Sequence, residues 1–178
     1  MRPAHAPELE QGDPGRVAQE NALRKARDAW AQEVGAGERA AAVLGCDTLV
    51  ALGGAIYGKP ASLAAAKRTL QALSDATHEV VGGLALLRAP LGDDPRDLAA
   101  GAVRERVAIA RTAVTFRALD DALLDWYLAT GEWRGRAGGY AIQGAGAALV
   151  RKVEGDYENV VGLPVATLLD IFPELLGS

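Results

Sequence analysis

The sequence has only one cysteine, so no disulfide can form within the chain. This residue is Cys46, and a lone thiol gives no sign of an oxidising compartment. No run approaches the roughly 20 consecutive apolar residues that a helix needs to span a bilayer. The N-terminus also lacks the apolar segment of a secretory signal. We therefore expect a cytoplasmic protein that does not bind membranes.

Clustered basic charge is also missing. The 19 Lys and Arg side chains are outnumbered by 23 Asp and Glu side chains, which leaves a net charge of −4. Binding to a nucleic-acid backbone needs a concentrated basic surface, so we expect no nucleic-acid partner. The two histidines, His5 and His78, are too few and too far apart in sequence to predict a zinc site.

The apolar content is sufficient for one core. Hydrophobic residues make up 49% of the 178 residues and charged residues 24%, proportions that are typical of globular proteins. A chain of this length buries roughly 70% of the surface of its unfolded state. There is no internal repeat and no linker, so the sequence predicts one domain over residues 1–178.

Helix and strand patterns alternate along the chain. Asp13-Pro14, Ser62 and Asp120 are typical helix starts, and Gly53-Gly54 is typical of a two-residue hairpin turn. The predicted helices cover residues 14–32, 62–74, 120–130 and 164–171, the predicted strands 41–52, 55–57, 77–88, 102–117 and 147–150, and a polar loop 90–100. This mixture of hairpins and helices predicts an α/β fold with a mixed β-sheet and flanking helices.

Asp47 is the most informative single residue, because the strand predicted around it is otherwise almost entirely apolar. An ionised carboxylate beside Leu44 and Leu49 is strongly destabilising unless it is paired or bound to a metal. One interpretation places Asp47 at a strand end, where it caps a backbone amide. The other makes it a general base or a magnesium ligand at the edge of the sheet.

Lys59 lies in a Gly-Lys-Pro sequence that only partly matches a phosphate-binding loop, which ends in Lys followed by Ser or Thr. Pro60 offers neither a hydroxyl for magnesium nor an amide for phosphate, so we reject that interpretation. The rigid turn still holds one ammonium in a fixed place.

Two further segments allow alternative interpretations. Glu8, Glu10 and Asp13 precede the first helix, where acidic residues are often solvated or favourable to the helix N-terminus. Gln143 follows a glycine-rich stretch, and its amide can either read the edge of a nucleobase or belong to a flexible turn.

Eight short motifs together resemble those of the Maf family of nucleoside triphosphate pyrophosphatases, over about residues 8–176. They are Asn-Ala-Leu-Arg-Lys-Ala (21–26), Gly-Cys-Asp-Thr (45–48), Gly-Lys-Pro (58–60), Leu-Ser with Thr-His-Glu-Val (73–74 and 77–80), Thr112 with Val114 and Phe116, Tyr127 with Gly-Glu (131–132), Ala-Gly-Gly-Tyr-Ala-Ile-Gln-Gly (137–144) and Asn-Val-Val-Gly-Leu-Pro (159–164). Each motif is weak alone, but their order and gaps are specific.

The resemblance implies a central cleft, a divalent metal cation (Mg²⁺ or Mn²⁺), a nucleoside triphosphate substrate and a homodimer. It implies that Asp47 activates the attacking water or positions the metal. Lys25 and Lys59 would neutralise phosphate charge, and Glu10 would be the second acid and a metal ligand. These residue types suit phosphoryl transfer, which needs positioned groups and cations against developing negative charge.

Within the family, the Ala-Gly-Gly-Tyr-Ala-Ile-Gln motif resembles the branch that acts on dTTP and UTP. Thr48 and Gln143 match positions that the family uses for base choice, and Ser74 is assigned to substrate binding by the same resemblance. An amide can pair with the edge of uracil or thymine. The alternatives are 7-methyl-GTP as substrate, or a non-catalytic nucleotide-binding regulator of the septum-formation-inhibitor type.

One family motif does not occur in this sequence. The family begins with a strand that leads into Ser-x-Ser-Pro-Arg-Arg, whose arginine and helix N-terminus bind the triphosphate. We therefore expect a single domain of the family that is shortened at its N-terminus. Loss of an arginine contact to a transferring phosphate predicts weaker catalysis.

Overall fold

A single five-stranded sheet organises the computed structural model, which describes residues 8–35, 42–88 and 103–176. Its strands are β1 (Ala42–Leu52), β2 (Ala55–Tyr57), β3 (Thr77–Arg88), β4 (Arg104–Phe116) and β5 (Val150–Glu154). They lie in the order β2-β1-β3-β4-β5, and every pair among the described strands is antiparallel. The predicted α/β class is confirmed, and the described part of the sheet is antiparallel where the sequence predicts both orientations.

Five α-helices accompany the sheet within the described residues. They are α1 (Pro14–Gly35), α2 (Leu63–Leu73), α3 (Asp121–Thr130), α4 (Tyr157–Val161) and α5 (Val165–Ile171). The predicted caps are present: the Ser62 hydroxyl accepts from the Ala65 N–H, and the Asp120 carboxylate accepts from the Leu123 N–H. These caps start α2 and α3 because each satisfies an N–H that has no partner inside the helix. No helix in the described ranges is long and apolar enough to cross a membrane.

The prediction of a strand at residues 147–150 is wrong. Ala145–Leu149 is a 3-10 helix, in which the Ala147 N–H donates to the Gly144 carbonyl at 3.1 Å, and β5 begins only at Val150. Short apolar runs do not distinguish a strand from a tight helical turn by their periodicity. The loop predicted at residues 90–100 lies outside the described residues.

Helix α1 packs directly against the backbone of β1 and β3. A Cβ atom at Gly45 would overlap the Ala22 carbonyl oxygen, and one at Gly83 would overlap the Ala18 carbonyl oxygen. Only glycine permits an approach this close. This close packing of α1 places Asn21 and Lys25, which lie on the same helix, over the middle of β1.

The two faces of the sheet carry different helices. Side chains alternate between faces along a strand, so Leu49 and Val81 pack against α1, while Val50 and Val80 join the main core with α2 and α3. Strand β2 pairs only with residues 50–52 of β1. The preceding stretch of β1, which contains Asp47, is therefore an open edge among the described strands.

A buried histidine lies in this core. The His78 side chain is 1% exposed, its Nε2 atom lies 3.0 Å from the Tyr140 hydroxyl oxygen, and its ring meets that of Phe116 edge to face. Burial lowers the pKa of His78 from 6.5 to about 4, because the protonated ring would lose its hydration. His78 is therefore neutral in the folded protein at physiological pH.

This burial predicts a loss of stability in mild acid. Between pH 6.5 and about 4 the unfolded chain protonates His78 and the folded chain does not, so the free energy of unfolding falls as the pH falls. The decrease should reach about 3 kcal/mol. Urea denaturation at a series of pH values measures it. The matched His78→Gln variant does not titrate, and an equally steep decrease in that variant would contradict the assignment to His78.

Candidate active site

A cleft of about 470 Å³ opens beside the free edge of β1. It is built from α1, β1, the turn after β2, the loop after α3, and α4. Its lining includes the polar side chains of Lys25, Asp47, Thr48, Lys59, Arg136 and Gln143. The structure thus brings together five of the residues that the sequence assigns to a site, and these five come from four separate segments of the chain.

Asp47 is the buried acid of the cleft. Its side chain is only 3% exposed; Oδ1 lies 2.5 Å from Lys25 Nζ, and Oδ2 accepts from Asn21 Nδ2 at 3.0 Å. It lies in the middle of β1 opposite Gly83 rather than at a strand end. Its partners are two side chains of α1, so the interpretation of Asp47 as a cap for a backbone amide is wrong.

Glu8 is a second carboxylate of this network, and it binds both lysines. Lys25 Nζ lies 2.6 Å from Glu8 Oε1, and Lys59 Nζ lies 2.9 and 3.1 Å from the two Glu8 oxygens. Burial opposes ionisation of Glu8, but the hydrogen bonds from both lysines outweigh it and hold the pKa of Glu8 below 4.5. Glu8 is therefore ionised at neutral pH.

Lys25 is shared between Asp47 and Glu8, so one ammonium bridges the two acids. Burial alone would lower its pKa, but hydrogen bonds to Asp47 and Glu8 raise the pKa above 10.5. Lys25 therefore keeps its positive charge, which a lysine in an apolar pocket would tend to lose.

Asn21 was not predicted as a site residue. It connects Asp47 to the segment that carries Glu8. It is almost fully buried; its Oδ1 accepts from the Leu9 N–H at 2.7 Å, and its Nδ2 donates to the Leu9 carbonyl at 3.0 Å. Asn21 precedes Lys25 by four residues, so both lie on the same face of α1. That spacing is the signal from which Asn21 could have been found.

Two predicted site residues do not lie in the cleft. Glu10 is exposed ahead of α1 and does not line the cleft. The acid that pairs with Lys25 and Lys59 is Glu8, two residues earlier and also just outside the lining, because Asn21 fixes the intervening Leu9 backbone. The Ser74 hydroxyl accepts from the Leu119 N–H at 2.8 Å, at the C-terminal end of α2. Ser74 thus holds a turn of the scaffold.

Arg136 supplies a further cation that the sequence analysis missed. It is exposed at the cleft, immediately before the Ala-Gly-Gly motif. Two carboxylates already oppose the charges of Lys25 and Lys59, whereas none of the carboxylates in the described ranges pairs with Arg136. The cleft therefore carries an excess positive charge that favours an anionic ligand.

The Maf family, described as Maf-like protein, matches residues 2–175. The chain belongs to this family. The predicted family is thus confirmed, and the residues matched include every lining residue of the cleft.

Relatives of known name are similar over most of the chain. The dTTP/UTP pyrophosphatase of Moorella thermoacetica is 50% identical over 147 residues, which are 81% of this chain and 70% of the relative. Those of Pyrococcus furiosus and Deinococcus radiodurans are 44% and 40% identical, over 72% and 92% of this chain and 61% and 75% of their own lengths. The chain therefore spans between about three fifths and three quarters of each of these relatives.

Proposed function

We propose that the protein is a nucleoside triphosphate pyrophosphatase that hydrolyses dTTP and UTP to the nucleoside monophosphate and pyrophosphate. The observation that carries this proposal is the buried Asp47 carboxylate, which lies in the cleft and is bridged by Lys25 to a second acid. The names of the relatives, dTTP/UTP pyrophosphatase, support the same reaction. They do not favour the alternatives of a non-catalytic regulator or a 7-methyl-GTP hydrolase.

The charged residues of the cleft have complementary roles in this reaction. Asp47 accepts the proton of the attacking water, since it is the acid buried within the cleft and is held in one orientation by Lys25 and Asn21. Lys25, Lys59 and Arg136 stabilise the negative charge of the triphosphate. Cations placed beside the transferring group stabilise the negative charge that develops during phosphoryl transfer.

A divalent cation is part of this proposal, and the donor set fits one that is carried by the triphosphate. No group of three or more acidic, His or Cys side chains forms a ready metal site within the described residues. Mg²⁺ commonly binds one or two carboxylates together with substrate phosphates and water. Asp47 and Glu8 would hold it, because an ionised carboxylate has about four lone-pair positions and their present contacts leave some free. Bound there, the cation would neutralise charge on the phosphates.

Base selection is proposed for Thr48 and Gln143, which also line the cleft. Both carry groups that can donate and accept hydrogen bonds. A site that pairs with the polar edge of uracil or thymine rejects a base that leaves those groups unpaired. Ile142 and Val160 supply apolar surface nearby for the base itself.

Pyrophosphate release tests the proposed reaction. With Mg²⁺, the purified protein should convert dTTP and UTP to the monophosphate and pyrophosphate, and excess EDTA should abolish turnover that added Mg²⁺ or Mn²⁺ restores. Product analysis by ion-exchange chromatography distinguishes this cleavage from release of inorganic phosphate. Absence of turnover with every nucleoside triphosphate, or undiminished turnover in EDTA, would contradict the proposed reaction or its metal, respectively.

We also propose a homodimer and a cytoplasmic location. The free Cys46 thiol is compatible with a reducing compartment. A second copy of the chain would have apolar surface to cover at Tyr157 and Val165, which are exposed on α4 and α5. Sedimentation equilibrium measures the molecular mass, and a monomer at all concentrations would contradict the homodimer.

A further inference from the structure

The segment that carries Gln143 is held on both sides by the C-terminal end of α3. The hydroxyl oxygen of Tyr127 accepts from the Ala141 N–H at 3.1 Å, and Glu132 Oε2 accepts from the Ala145 N–H at 2.8 Å. Two hydrogen bonds to the backbone thus flank Gln143, at positions two residues before and two residues after it.

Glu132 is itself fixed at the end of the helix. Its backbone N–H donates to the Thr130 hydroxyl at 3.2 Å, and that hydroxyl donates to the Tyr127 carbonyl at 2.7 Å. The Glu132 carboxylate also fills the space beside Gly144, where a Cβ atom would overlap it. The geometry of the segment therefore depends on a carboxylate that is anchored outside it.

Glu132 does not line the cleft, whereas Ala141, Ile142 and Gln143 do. Four glycines lie in and around this segment, at positions 138, 139, 144 and 146. Glycine backbone has more accessible conformations than other residues, so such a segment needs external contacts to keep one shape. Discrimination by hydrogen bonds requires that shape, because it depends on donors and acceptors that meet the correct base and miss the wrong one.

We propose that Glu132 is a positioning residue for base choice: its carboxylate holds the Ala145 N–H and so fixes Gln143 toward the base. This inference rests on the proposed hydrolysis of dTTP and UTP. Glu132 acts through the backbone and not through contact with the nucleotide. Its loss should therefore weaken the preference for UTP over CTP, mainly through KM, and should affect the chemical step less.

The test compares kcat and KM for UTP and CTP in Glu132→Ala, Glu132→Gln and the wild-type protein. We expect Glu132→Ala to lower the ratio of kcat/KM for UTP over CTP by about tenfold, the loss expected when one hydrogen-bonded group is misplaced. Glu132→Gln keeps an acceptor oxygen for Ala145 and should restore most of the ratio. Glu154→Ala, which removes an exposed carboxylate from β5, is the matched control and should change nothing.

A second variant leaves Glu132 in place. Gly144→Ala puts a methyl group against the Glu132 carboxylate and should lower the same ratio even if Glu132→Ala does not fold. Gln143→Ala removes the base-contacting amide itself. Its UTP to CTP ratio of kcat/KM therefore gives the largest loss that misplacement of this segment can cause.

The outcomes separate the inference from the proposed function. An unchanged UTP to CTP ratio in both Glu132→Ala and Gly144→Ala would overturn the positioning role while wild-type hydrolysis of UTP still stood. Failure of Glu132→Gln to restore the ratio would also overturn it, because the proposal requires only an acceptor. Absence of hydrolysis in the wild-type protein would overturn the proposed function, and the inference with it.

Discussion

An Asp47→Asn variant is expected to lose at least about a hundredfold in kcat for dTTP and UTP, the contribution typical of a positioned general base. The amide keeps the size of the carboxylate and can still accept from Lys25, but it cannot take a proton from water. Initial rates of pyrophosphate release at saturating substrate measure the loss. KM should rise as well if Asp47 also holds the cation of the bound triphosphate, but the loss in kcat is the measure of its role as the base.

The control for this experiment is an exposed acid outside the cleft. Glu10 is the acid that the sequence analysis assigned as the partner of Asp47, but its side chain does not line the cleft. We therefore expect Glu10→Gln to release pyrophosphate at the wild-type rate. Thermal unfolding should show that Asp47→Asn is folded. A folded Asp47→Asn protein with wild-type turnover would remove Asp47 from the role of base.

Lys25→Met is expected to reduce both stability and activity. It leaves the buried Asp47 carboxylate with Asn21 as its remaining partner, and breaking a buried ion pair by removing one member typically costs 3–5 kcal/mol. The Lys25 side chain is 22% exposed, so we expect a decrease of about 2–3 kcal/mol in the free energy of unfolding. Urea denaturation at pH 7 measures this decrease.

Two further variants isolate the cause. Lys59→Met removes a lysine that is 49% exposed and pairs with Glu8, so its stability should change by less than about 1 kcal/mol. The double variant Lys25→Met with Asp47→Asn no longer contains the stranded charge and should be more stable than Lys25→Met alone. Equal stability of Lys25→Met and wild type would show that Asp47 does not depend on this partner.

Local sequence signals predicted most of the elements that position the cleft. Ser62 and Asp120 start α2 and α3 as predicted, and Gly53-Gly54 joins β1 to β2. These signals succeeded because a cap or a tight turn is satisfied by atoms only a few residues away. The turn at Ala145–Leu149 was missed because its conformation depends on packing of Gly146 against the Ala141 backbone, which an apolar run does not encode.

The sequence by itself determined the family, the α/β class and the need of Asp47 for a partner, because a charge in an apolar strand is too unfavourable to remain unpaired. Only the tertiary structure decided which groups meet it. Gly45 and Gly83 let α1 reach the sheet, and Asn21 then fixes Leu9 so that Glu8 rather than Glu10 binds the lysines. Such contacts join residues far apart in sequence, and their geometry follows from how a helix packs on a sheet.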